Sequence, residues 1–316
     1  MIGQYPTPVE HHEKLGLWVK RDDLTNPIYG GNKVRKLDRL IPYALEHGKK
    51  RIVTVGAVGS HHVLATAVHA SRAGLLVEAA VVPQPRTEHV ERNLRVDLAL
   101  GAKLHPARSY AGAALSMIVR ARPSTYLVPM GGSNVVGSLG YVDAAYELAA
   151  QVKAGALPEP DVIIVTVGSG GTAAGLVAGL ALSGLSTRVI GIVVAAPVWF
   201  VSYWTRRLVR AVYARAGGRD PAALGGRLEL LTTELGAGYG EPTEAGNRAK
   251  AIAHDEAGLS LDLTYTAKCF AGALECVRSA RFQNVLYWHT LSSASLEPLL
   301  ENAPAVPPSL ERLLRR

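Results

Sequence analysis

Short β-branched runs alternate with alanine- and leucine-rich segments along most of this chain. Strand-like runs fall at Arg51 to Val55, Leu76 to Val82, Thr125 to Pro129, Val162 to Val167, Val189 to Val194 and Val285 to Trp288. Helical patterning occupies Leu64 to Ala73, Val90 to Leu100, Tyr141 to Lys153 and Ala174 to Leu182. Apolar runs of this length suit strands buried on both faces, and their alternation with helices predicts parallel sheets covered on both sides. The stretch from Ala195 to Leu235 breaks the rhythm. Trp204 and the arginines after it predict an amphipathic helix, whereas Trp199-Phe200 is an apolar pair that reads as core or interface packing rather than a cofactor contact. Val162 to Thr187 carries no charge and is long enough to span a bilayer, but its six glycines and strand-like start fit a strand, a loop and a buried helix better.

Length and composition narrow the picture. At 316 residues the chain exceeds one average domain, and a hydrophobic fraction of 48% suffices for a globular core. The formal charge of +8 invites a nucleic-acid reading. Its basic residues are scattered apart from Arg206 through Arg219 and the tail Arg312 to Arg316, and no aromatic motif interleaves with them, so nucleic acid is not an expected partner. Cys269 and Cys276 lie on one predicted helix and read as buried thiols of a reducing compartment. The N-terminus lacks a basic-then-apolar signal pattern. These features predict a cytoplasmic protein that does not engage the membrane.

Two segments carry candidate chemistry. Tyr29-Gly30-Gly31-Asn32-Lys33 marks a tight loop entering a helix, and a lysine held there can be aimed inward. Burial lowers a lysine pKa, and the neutral amine can then condense with an aldehyde. The second segment is Gly168-Ser169-Gly170-Gly171-Thr172, which follows the Val162–Val167 strand and opens an alanine-rich helix. Glycines let backbone N–H groups crowd around an anion, and the helix N-terminus adds its positive end. It is not a Walker loop. Ala173 stands where the dinucleotide fingerprint has its third glycine, and no acidic ribose partner follows.

Nine segments taken together resemble one family. They are Tyr5-Pro6-Thr7-Pro8, Leu17 to Thr25, Gly30 to Lys33, Gly56 to His62, Pro129 to Asn134, Gly168 to Gly175, Gly238 to Glu244, Tyr265-Thr266-Ala267-Lys268 and His289-Thr290. Their order and spacing are similar to the pyridoxal-phosphate (PLP) enzymes that include D-cysteine desulfhydrase and 1-aminocyclopropane-1-carboxylate (ACC) deaminase. The resemblance implies an α/β fold of type II, with two three-layer domains and the cofactor in the cleft between them. Residues 1–46 and 147–316 would form the larger domain, and 47–146 the smaller one inserted in it. Lys33 matches the Schiff-base lysine, and Gly168, Ser169, Gly170, Gly171 and Thr172 match the phosphate loop. Ser60, His61 and His62 match the loop that receives the substrate carboxylate. Tyr239 and Tyr265 match two tyrosines facing the substrate, and Thr266 and Thr290 match positions beside the cofactor ring. A small amino-acid substrate and a homodimer are further implications.

Thr266 and Thr290 stand where ACC deaminases carry glutamate and leucine, which favours the desulfhydrase branch. A hydroxyl at the ring nitrogen makes a weaker electron sink than a carboxylate, and that suits α,β-elimination. Departures leave the substrate open. Ser60-His61-His62 replaces the family's Ser-Asn-His, so His61 takes the place of the asparagine that bonds the cofactor 3′-oxygen. His289-Thr290-Leu291-Ser292 replaces His-Thr-Gly-Gly. Neither histidine pair, His11-His12 or His61-His62, has a nearby third ligand, so metal is not expected. The readings carried forward are elimination from D-cysteine, ACC deamination or β-replacement, and cofactor or nucleotide binding without turnover.

Overall fold

The computed structural model describes residues 1–301 and 303–315; Asn302 and Arg316, the last arginine of the basic tail, lie outside the described residues. The strands are β1 (Val9–His12), β2 (Leu17–Arg21), β3 (Arg51–Ala57), β4 (Leu76–Val82), β5 (Gln84–Pro85), β6 (Lys103–Pro106), β7 (Thr125–Leu127), β8 (Val162–Val167), β9 (Arg188–Val193), β10 (Leu228–Leu231), β11 (Val285–His289) and β12 (Leu314–Arg315). The helices before β8 are α1 (Asn32–Glu46), α2 (His61–Arg72), α3 (Glu88–Ala99), α4 (Tyr110–Val119) and α5 (Val135–Lys153). Those after it are α6 (Gly171–Ser183), α7 (Val198–Arg215), α8 (Glu244–Ala257), α9 (Thr266–Arg278), α10 (Glu297–Leu300) and α11 (Pro308–Glu311).

Two principal sheets result. The larger runs β1-β2-β11-β8-β9-β10, parallel except for the β1–β2 pair; the smaller runs β6-β4-β3-β7 and is parallel throughout. Side chains alternate along a strand, so β8 serves two layers at once. Ile163, Val165 and Val167 pack with α5, α6 and α7, while Val162 and Ile164 pack with α8 and α9. The fold-type II architecture, helices on both faces of parallel sheets, is therefore present. The uncharged Val162 to Thr187 segment is β8, its loop and α6; no helix among the described residues is long and apolar enough to cross a membrane.

α7 covers the stretch that sequence patterning read least well, and Trp199 lies in its first turn, largely exposed rather than in the core. α4, α8, α10, α11 and the strands β1, β2, β5, β6, β10 and β12 were not anticipated. Cys269 is buried and Cys276 half-buried, both as free thiols on α9.

A buried ionic network ties the N-terminal strands to α1 and α5. The Arg35 guanidinium donates to both Asp22 carboxylate oxygens at 2.8 Å and to both Glu147 oxygens at 2.9 and 3.0 Å. Glu147 also receives Lys20, and Asp22 receives the Tyr141 hydroxyl and the Trp288 indole N–H. α5 lies against α1 so closely that a Cβ on Gly140 would fall 1.9 Å from the Arg35 carbonyl oxygen. This clamp holds the start of α1, where Lys33 sits.

Candidate active site

Gly31 precedes α1 with φ +86°, and a Cβ there would lie 2.6 Å from the Thr290 carbonyl oxygen. Glycine alone permits both the left-handed backbone and the approach. The Asn32 N–H donates to that same carbonyl at 3.1 Å, so α1 begins tied to the end of β11. Lys33, the second helical residue, thereby reaches a cavity of about 540 Å³ lined from both sheet units. Its side chain opens onto the cavity and is otherwise enclosed by protein, and Nζ donates to Asn32 Oδ1 at 2.8 Å. Burial holds its pKa down to about 8, against the opposing pull of the Asp262 carboxylate.

One helical turn later stands Lys36, a residue that sequence reasoning missed. Residues three apart share a helix face, so this lysine enters the same region. It is fully buried, and Nζ donates to the Gly131 carbonyl at 2.9 Å and to Ser133 Oγ at 3.0 Å. Burial and the neighbouring Lys33 push its pKa well below the ordinary lysine value. Two lysines on one wall with no carboxylate bonded to either describe a place prepared for an anion.

The glycine-rich loop supplies the rest of that place. β8 delivers Gly168 to Thr172 to the cavity, and Gly170 adopts φ +84° as the residue before α6. The N-cap Gly170 offers this thirteen-residue helix no capping side chain, so apart from the Gly171 N–H its first N–H groups and positive dipole end are available. Ser133 Oγ accepts from the Gly171 N–H at 3.1 Å and lies 2.7 Å from Ser169 Oγ. A Cβ on Gly171 would fall 2.5 Å from Ser133 Oγ and 2.9 Å from Lys36 Nζ. The cradle is thus a glycine-rich loop, a helix start with no N-cap side chain and a buried lysine. These residues fit a phosphate monoester, and Lys33 beside them fits an aldehyde on the same molecule.

The opposite wall comes from α2 and the approach to α9. Ser60 is the N-cap of α2 and accepts from the His62 N–H at 3.2 Å. His62 Nε2 lies 2.8 Å from Thr54 Oγ1, which itself donates to the Val128 carbonyl, so His62 carries its proton on Nε2. Burial keeps His62 well below its ordinary pKa. His61 Nδ1 lies 2.6 Å from the Tyr29 hydroxyl, its ring sits tilted against His89 with centroids 4.4 Å apart, and its buried Nε2 has no partner among the described residues. Burial, and then His89, bring the His61 pKa down to about 3, so it is neutral at physiological pH.

Tyr239 and Tyr265 share a hydrogen bond between their hydroxyls. Burial pushes both phenol pKa values up, so at neutral pH the pair carries its protons. Asp262 orients this side of the site. Its carboxylate accepts from the Thr264, Tyr265 and Thr266 N–H groups at 3.0, 2.9 and 3.1 Å, and from the Thr266 hydroxyl at 2.7 Å. Burial opposes its ionisation, but these donors hold its pKa below the usual carboxylate range. Thr266 and Thr290 both line the cavity, as do Lys33, Ser60, His61, His62, Gly168 to Thr172, Tyr239 and Tyr265. Tyr29, Ser133, His89 and Asp262 were not singled out. Tyr29, Ser133 and His89 act through partners remote in the chain, whereas Asp262 caps the turn that directly follows it.

A family model described as pyridoxal-phosphate dependent enzyme matches residues 1–290. The nocardicin C-9′ epimerase of Nocardia uniformis subsp. tsuyamanensis is 34% identical over 295 residues, covering 90% of this chain and 89% of that protein. A D-cysteine desulfhydrase of Klebsiella pneumoniae (strain 342) is 31% identical over 316 residues, covering 92% and 93%. Among solved structures, an ACC deaminase homologue superposes with a TM-score of 0.82 at 27% identity, covering 99% of this chain and 95% of that one. Maize serine racemase shares the fold, with a TM-score of 0.62 at 16% identity, covering 93% of this chain and 92% of that one.

Proposed function

The chain belongs to the pyridoxal-phosphate dependent enzymes, and from that premise we propose that it catalyses α,β-elimination and deamination of a small amino acid, most like D-cysteine. The observation that carries the reading is Lys33, which faces the cavity with its pKa lowered to about 8 beside a carboxylate-free phosphate cradle. When bound, pyridoxal 5′-phosphate supplies an electron-withdrawing ring conjugated to the substrate Cα. Lys33 would hold it, with Lys36, Ser169, Thr172 and the Gly168 and Gly170 amides around its phosphate. His61, Thr266 and Thr290 would stand beside its ring. The Thr266 hydroxyl donates to the Asp262 carboxylate.

Ser60 and the N-terminus of α2 suit the substrate carboxylate, and His62, held by Thr54, braces that turn. Lys33 is the group best able to take the α-proton, because a fraction of its amine is already neutral at physiological pH. Tyr239 and Tyr265, with raised pKa values, suit donation of a proton to the departing β-substituent. That division of labour follows from which groups hold protons and which do not. We propose further that residues 47–146 form the smaller domain and 1–46 with 147–316 the larger, as the separate sheets support. A cytoplasmic homodimer completes the reading, supported by the family resemblance.

Lys33→Ala should abolish the visible absorption that free-lysine loading with PLP produces, together with pyruvate and ammonia release from D-cysteine. Unchanged turnover by that variant would refute the assignment. The likeness to an ACC deaminase homologue favours ACC deamination as a second reading, and the Nocardia relative adds epimerisation. Product analysis separates them: pyruvate from elimination, 2-oxobutyrate from ACC, an inverted centre from epimerisation.

A further inference from the structure

α4 is apolar around its whole circumference, carries no charged residue, and yet buries only Ala113. A helix of that composition is ordinarily buried on all sides. Its residues Tyr110, Ala114 and Met117, spaced four and three apart, form one stripe, and all three line the cavity that contains Lys33. Across the cavity α7 presents a matching stripe, Phe200, Val201 and Trp204. Tyr110 is 42% exposed and Phe200 47%, so these stripes form the solvent-facing end of the cavity. The charged residues lining it, Lys33, Lys36 and Asp262, are accounted for at the cofactor end and around Tyr265.

Met117 and Tyr239 pack against the same small cluster of Val55, Ala57, Ala80, Val82 and Ala113. The apolar stripe of α4 is therefore continuous with the tyrosine pair at the reacting end, not a separate surface patch. A substituent the size of a thiol would leave both stripes wet, and water in the site weakens the electrostatic control that elimination needs. An extended apolar substituent would cover them and close the cavity.

We propose that the natural substrate is a cysteine S-conjugate whose sulfur bears a bulky apolar or aromatic group. This rests on the elimination reading above, since that reaction requires a leaving group on Cβ. The Cα proton passes to the base, the Cβ–S bond breaks with its electron pair on sulfur, and the thiolate takes a proton and leaves as an apolar thiol. The remaining 2-aminoacrylate tautomerises, and one water hydrolyses it to pyruvate and ammonia.

The test uses the PLP-loaded protein. S-Benzyl-D-cysteine and D-cysteine are compared by kcat/KM for pyruvate release, with benzyl thiol measured independently. A preference for the benzyl conjugate of about tenfold or more is expected, the scale on which apolar pockets discriminate. Met117→Gln should shrink that ratio about tenfold, and Trp204→Gln should act in the same direction. A binding readout accompanies activity: quenching of tryptophan fluorescence by 2-amino-5-phenylpentanoate and by 2-aminobutyrate, isosteres of the two substrates that have no leaving group. The phenyl compound should bind at least about tenfold more tightly, and Trp204→Phe should remove most of its fluorescence change. Equal binding and equal kcat/KM for the two sizes overturns the proposal while leaving elimination intact. Tighter phenyl binding with no pyruvate from either cysteine substrate supports the bulky apolar class and overturns elimination.

Discussion

Arg35→Met removes the centre of the buried network and keeps a side chain of similar length. In the protein Arg35 is 2% exposed and bonds bidentately to Asp22 and to Glu147, whose side chains are 0% and 12% exposed. Withdrawing one partner from a buried ion pair costs about 3–5 kcal/mol. Two carboxylates lose their guanidinium here, but each keeps some donors. Asp22 retains Thr7 Oγ1, the Tyr141 hydroxyl and the Trp288 N–H, and Glu147 retains Lys20. The expected loss at pH 7 is therefore near the lower end of that range, about 3 kcal/mol. The sign of the pH dependence is a sharper check. Although burial opposes ionisation of Asp22, Arg35 holds its pKa below the usual value. Its contribution is thus present above the ordinary carboxylate pKa and lost as pH falls through the lowered one. Without Arg35, burial dominates and the folded-state pKa rises above the unfolded one, so the variant gains stability on mild acidification. Urea unfolding of both proteins at pH 7 and pH 5, followed by circular dichroism, should show the gap narrowing in acid. A loss below about 1 kcal/mol at pH 7, on the scale of an exposed pair, or a gap that widens in acid, would refute the reasoning.

The cradle and the lysine make two further predictions. Gly171→Ala inserts a methyl group 2.5 Å from Ser133 Oγ and 2.9 Å from Lys36 Nζ, and overpacking of this kind costs about 1–3 kcal/mol. PLP affinity, followed by absorbance titration, should fall about tenfold or more; unchanged affinity would mean the phosphate binds elsewhere. The rate at which the cofactor-free protein takes up PLP should climb with pH and level off above about 8, where Lys33 becomes neutral. A rate still climbing past pH 10 would show an ordinary, solvated lysine instead.

Much of the site was legible because its signals are local. The Val162–Val167 run, the glycine loop after it and the Gly30-Gly31-Asn32-Lys33 turn each state their backbone needs in consecutive residues. A left-handed glycine or a continuous β-branched run constrains its own segment before any partner arrives. Family resemblance then ordered these segments into one cleft. Other features carry no such signal. Lys36 reads as a surface charge until Gly131 and Ser133 close over it. The histidine at position 61 acquires its meaning from Tyr29 and His89, and Asp262 from the turn it caps. β1 and β2 give no sequence signal of their place, yet β2 pairs in the larger sheet with β11, some 270 residues later. The composition of α4 predicts burial, and only the packed structure shows its stripe left open along the cavity. Dihedral preference and apolar periodicity belong to the chain and can be read from it. Desolvation and pairing belong to contacts between distant segments, and these exist only once both sheets have formed and closed around the cleft.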